Sequence, residues 1–139
     1  MDRIDKILNH DLFLYHLGKN NAAEADRRFC RHSMVHFLDV ARIGTIIALE
    51  EGLELDREWI YAAALLHDCG KHEQYENGTP HEQASARIAP DILEDCGFDD
   101  KETDVIVTAI SRHRDPEAAK EKNLNGVLYR ADKASRACF

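Results

Sequence analysis

Five apolar residues, Ala62 to Leu66, run without interruption into the pair His67-Asp68, and no other stretch constrains the fold as strongly. A helix that is apolar on every side belongs in the interior of a protein. The pair at its end is therefore carried inward as well. A buried charge must be paired, bound to a metal, or neutralised by a pKa shift. The rest of the chain has to supply the partner.

Helical periodicity runs through nearly all of the remaining sequence, and no clean two-residue alternation stands out. The pattern predicts an all-α, compact helical bundle, a single domain over residues 1–139. A first helix is expected from Ile4 to Leu17, broken at Gly18-Lys19-Asn20-Asn21. Asn21 would cap a second, from Ala22 to about Glu51 with a break near Cys30, ended by Gly52. Asp56 caps a helix from Arg57 to about Cys69, closed by Gly70. Residues 71–80 read as a loop because they end in Asn77-Gly78-Thr79-Pro80. Helices follow from His81 to Cys96 with Pro90 kinking it, from Lys101 to Arg112 behind an Asp99/Asp100 cap, and from Asn125 to Arg136.

Hydrophobic content of 44% and charged content of 32% fit a soluble globular chain of 139 residues. No apolar run reaches the length of a membrane span. The start Met1-Asp2-Arg3-Ile4-Asp5-Lys6 has no apolar stretch behind a basic segment, so no signal peptide is expected and the expected location is cytoplasmic. Cys30, Cys69, Cys96 and Cys138 form no CxxC pair and read as small reduced thiols. A net charge of −8 argues against wrapping by nucleic acid. It leaves room for a small phosphorylated substrate, because bound cations can reverse the sign locally.

The chain has eight histidines. His10 and His16 have no acidic or histidine partner at helical spacing and read as surface or packing residues. His72, in a polar stretch, reads the same way. His32 and His36 are four apart and share a helix face with Val40, Ile43 and Ile47. His81 opens a helix, and His113 closes the apolar segment Val105 to Ile110. Asp132 lies mid-helix, where an ordinary role would be pairing with Arg136. Taken singly, each has a structural explanation. Taken together, His36, His67, Asp68, His81, His113 and Asp132 make a cluster of four imidazoles and two carboxylates, a donor set suited to Fe, Mn or Zn rather than Mg or Ca.

The strings "HFLDVARI" around His36, "ALLHDCGK" around His67-Asp68, "TPHEQAS" around His81, "AISRHR" around His113 and "YRADKASR" around Asp132 resemble the HD-domain metal-dependent phosphohydrolases. The likeness extends from about Phe29 to Cys138 and includes the subset with two metals. In size and motif order the chain is also similar to small bacterial HD hydrolases, the symmetrical diadenosine tetraphosphate hydrolases among them.

The resemblance implies an HD-type helical bundle holding two divalent transition-metal ions. One ion would take His36, His67, Asp68 and Asp132, and the second His81 and His113 with Asp68 as bridge. Adjacent helical residues point about 100° apart, which suits a bridging role for Asp68 beside His67. Two divalent ions against two aspartates leave a centre of about +2. Such a centre can activate a hydroxide and hold a phosphate. Asp68 and Lys71 would then be catalytic. Lys71, His32, Arg114 and Arg136 would contact a small phosphorylated substrate, expected to be a nucleotide. Two alternatives stay open: a di-iron HD-type oxygenase on the same ligands, and a non-catalytic, metal-stabilised sensing or binding module.

Overall fold

The computed structural model describes residues 1–25 and 34–135, and every regular element among them is a helix. The chain runs through α1 (Asp2–Leu8), α2 (Asp11–Ala23), α3 (Met34–Glu50), α4 (Arg57–Leu66), α5 (Lys71–Asn77), α6 (His81–Asp95), α7 (Asp100–Ser111), a 3-10 helix (Pro116–Lys120) and α8 (Leu124–Ser135). None of these helices is long and apolar enough to cross a membrane.

The apolar run takes the central place. Ala62 to Leu66 are completely buried in α4, which packs against α1, α3, α6, α7 and α8. Its alanines let those helices approach. Phe37 and Val40 of α3, Ile106 and Ile110 of α7, and Leu128 and Ala131 of α8 join the same core. Each large side chain of this kind stabilises the fold by about 1.5–3 kcal/mol through its burial.

Local chemistry sets the helix ends. The Asp56 carboxylate accepts the Glu58 N–H at the start of α4. Asp99 and Glu102 form a reciprocal capping box on α7. After α3, Gly52 adopts φ +68°, and the Leu53 N–H reaches back to the Ala48 carbonyl, the bond pattern of a left-handed helix stop. Arg3 pins α1 to the bundle through 2.8 Å contacts with Glu58 of α4 and Glu102 of α7. The Trp59 indole donates to the same Glu102 carboxylate.

Four expectations need correction. The first helix is two, because His10 turns extended and its ring accepts the Leu12 N–H as the cap of α2. Gly18 and Asn21 lie inside α2 and neither breaks nor caps a helix. The helix α4 stops at Leu66, with His67 as its C-cap. Asp68 therefore sits in the following turn, where the 100° helical argument does not apply. Finally, residues 71–77 are helical. Lys, Glu and Gln are good helix formers, and the Asn20 side chain accepts the His72 N–H at 2.8 Å, fixing the first turn of α5. Pro90 lies within α6, which continues to Asp95. The expected break near Cys30 falls outside the described residues.

One close approach brings α6 over the turn that follows α4. A Cβ on Gly70 would lie 2.7 Å from the Ala84 Cβ and 2.7 Å from the Ser85 nitrogen. The Ser85 hydroxyl accepts the Gly70 N–H at 2.9 Å. Glycine is required here by space.

Candidate metal centre

Helix ends and one helix interior deliver the cluster. His36 comes from the first turn of α3, His67 from the C-cap of α4, Asp68 from the turn beyond it, His81 from the first position of α6, His113 from just past α7, and Asp132 from within α8. His67, Asp68, His81, His113 and Asp132 are buried, and His36 is nearly so.

Asp68 lies at the middle. Its Oδ2 is 3.2 Å from His67 Nε2 and 3.6 Å from His36 Nε2. Its Oδ1 is 3.3 Å from both His81 Nε2 and His113 Nε2. Asp132 Oδ1 completes the first side, 3.1 Å from His36 Nε2 and 3.4 Å from His67 Nε2. The donor atoms thus fall into two groups, His36-His67-Asp68-Asp132 and Asp68-His81-His113, each within 4.8 Å of one another and able to hold a metal ion.

The outer nitrogens of the rings decide what the inner ones carry. His67 Nδ1 contacts the Ala64 carbonyl at 2.6 Å, and His113 Nδ1 the Ile110 carbonyl at 2.7 Å. A carbonyl only accepts, so both Nδ1 atoms bear the proton. In the neutral rings, Nε2 then presents a lone pair to a carboxylate oxygen that also has only lone pairs. Buried His67 Nε2 makes no hydrogen bond. The same opposition recurs between His81 Nε2 and His113 Nε2, 3.1 Å apart. A cation between the donors resolves every one of these contacts, and neutral imidazole is the form that binds a metal. The residues therefore fit a pair of divalent ions.

The carboxylates and imidazoles also shift one another's titration. Burial opposes charge on Asp68, but His67, His113 and His36 outweigh it and hold the carboxyl well below the usual range. Asp132 is likewise depressed, by His36 and His67 against its burial. Burial also opposes protonation of His36 and His67, yet the two carboxylates raise both. His81 goes the other way. Its burial, with His113, Lys71 and Arg114 nearby, lowers it to about 3, more than offsetting Asp68.

Around this centre, Lys71 is buried rather than solvated, its Nζ 3.4 Å from His81 Nδ1. Arg114 is exposed, and its charge is felt at His81. His32 and Arg136 lie outside the described residues. His10 takes no part in the cluster and pairs with Asp95 at 2.8 Å. His16 and His72, expected to be separate, meet in a buried 2.8 Å contact with rings stacked 17° from parallel. Cys69 and Cys96 are buried free thiols. Burial raises the Cys69 thiol to about 12, which leaves it unreactive.

Sequence reasoning missed Asn20 and Gln74. Asn20, read as part of a helix break, spans the turn from Asp68 to His72. Its amide donates to the Asp68 carbonyl at 2.9 Å while its oxygen takes the His72 N–H. Gln74, read as loop, contacts His81. Neither is signalled by spacing, since both partners are brought together by the tertiary fold.

An all-helical body with histidine and aspartate donors meeting at its helix ends defines a class of helical metal-binding proteins. The chain belongs to the HD domain family, whose profile matches residues 34–137. It is 48% identical, over all of its 139 residues and 87% of the other chain, to an uncharacterized protein of Clostridium beijerinckii. Its structure is similar to the crystal structure of a predicted HD superfamily hydrolase from an uncultured Thermotogales bacterium, with TM-score 0.66 and 27% identity. That match covers 86% of this chain and 66% of the Thermotogales chain, just under two thirds of its length.

Proposed function

We propose that this protein is a metal-dependent phosphohydrolase acting on a phosphate ester or phosphoanhydride of a small substrate, a nucleotide. The observation that carries the reading is the division of Asp68, one oxygen facing His36, His67 and Asp132, the other facing His81 and His113. His36, His67, Asp68 and Asp132 would hold one divalent ion, and Asp68, His81 and His113 a second, with Fe, Mn or Zn best suited to these donors. When bound, two such ions supply Lewis acidity and make water nucleophilic at neutral pH.

The chain's own groups then divide the work. Asp68 ties the two halves of the centre together and is the residue on which both depend. Lys71, buried beside His81, would offer its ammonium to a phosphate oxygen. Arg114 adds a guanidinium at the exposed rim, and His32 and Arg136 are further proposed substrate contacts. Together with bound ions, Lys71 and Arg114 would offset the overall −8 of the chain locally, where an anion must enter.

Hydrolysis needs no change of oxidation state. The test is a panel of nucleotides and phosphate esters incubated with Mn- or Co-loaded protein under strict anaerobiosis. Release of phosphate or of a nucleotide product is expected. Lys71→Ala should weaken substrate binding more than metal binding. Turnover only with iron and oxygen, and no release from any phosphate compound, would replace hydrolysis by oxygenation. Full metal loading without any turnover would leave a sensing or binding module.

A further inference from the structure

The ligand histidines are not held alike. His67 and His113 each give their Nδ1 proton to a carbonyl three residues earlier, supplied by their own helix. That device needs a preceding turn. His81 has none, because it is the first residue of α6, behind Pro80, and Pro80 offers no side-chain cap.

Gln74 fills both needs. Its Oε1 lies 3.1 Å from the His81 backbone nitrogen and 2.8 Å from His81 Nδ1. A backbone N–H can only donate, so the contacting atom must be the amide oxygen, and the same oxygen, at 2.8 Å against 3.4 Å for the Lys71 ammonium, then takes the Nδ1 proton. The reach is set by the turn between α5 and α6, where Gly78 at φ +80° reverses the chain and accepts no substitute without strain. One side-chain atom thus caps α6 and turns His81 Nε2, as a lone pair, toward Asp68 Oδ1 and His113 Nε2.

We infer that Gln74 is a positioning residue for the second metal group, acting through His81. The inference rests on the two-ion reading above. Outer partners of ligating histidines are worth about 10- to 100-fold in metal affinity. Gln74→Leu removes the acceptor. Gln74→Asn keeps an amide but is one methylene too short to reach. Gln74→Glu keeps an acceptor at the same distance and should restore binding.

The experiment is an anaerobic titration of metal-free protein with Mn²⁺, counting free ion by electron paramagnetic resonance, on the wild type and all three variants. Ring-nitrogen NMR of His81 reports its tautomer in parallel. Wild type should take up two ions. Gln74→Leu and Gln74→Asn should weaken one of them about 10- to 100-fold, leave the other unchanged, and let the His81 proton distribute over both nitrogens. Gln74→Glu should recover the second ion and the Nδ1–H tautomer. Should either Leu or Asn fail to fold, the other carries the comparison. Two ions bound normally in both variants, an equal loss at both sites, or no recovery with Glu would overturn the role of Gln74 while leaving the metal centre standing. A wild type that binds no ion would overturn both.

Discussion

Among the described residues, Asp68 is the one carboxylate shared by both donor groups, and the consequences of removing ligands should be unequal. Asp68→Ala is expected to drop the ion content from roughly two to none and to abolish turnover. His113→Ala should lose roughly one, from the second group. Elemental analysis of the purified variants distinguishes the two, and an Asp68→Ala protein with full metal and normal turnover would remove Asp68 from its bridging place. A second carboxylate can be read by pH. Hydrogen bonding from Arg3 lowers Glu102 from 4.5 to about 2. Its stabilising contribution is therefore complete above pH 4.5 and is lost as pH falls toward 2. In Arg3→Met, Glu102 should titrate closer to its ordinary value by NMR, with Trp59 and the Asp99 N–H still holding it down, and the acid-side loss of stability over that window should become shallower. At this scale the six cluster residues were legible because histidine and aspartate carry their chemistry in their identity. Asn20, Gln74 and the His16–His72 pair were not, since an amide or a lone histidine acquires its role only from the partner that folding brings to it.

At the scale of elements, the apolar run of α4 and the caps at Asp56 and Asp99 could be read directly, because capping is a contact between near neighbours. The N-terminal half was harder. Gly18 looked like a break, yet it lies in α2 with nothing within 4 Å of a would-be Cβ. Gly18→Ala should therefore stabilise the protein by about 0.5–1 kcal/mol in urea unfolding. Gly70→Ala should do the opposite, costing about 1–3 kcal/mol, because the added methyl meets α6 at 2.7 Å. In both places the sequence shows one glycine followed by a lysine, and only the packing of α6 separates them. The polar residues 71–77 read as loop for a related reason. Their helix is held by Asn20 and by the turn at Gly78, neither of which leaves a periodic apolar stripe.

Over the whole molecule, the centre joins α3, α4, α6, α7 and α8, so bound ions should stabilise the entire fold. Free Mn²⁺ at about 100 times its dissociation constant would add about 2.7 kcal/mol per site, and a chelator should lower the melting temperature by several degrees. An unchanged melting temperature would mean that the ions do not link these helices. In the proposed centre, Asp68 divides two metal positions. Anomalous diffraction from a crystal grown with Mn²⁺ tests it most directly. Two peaks are expected, one among His36, His67, Asp132 and Asp68 Oδ2, the other among His81, His113 and Asp68 Oδ1. No peak at either group, or manganese bound with Asp68 turned away, would contradict it.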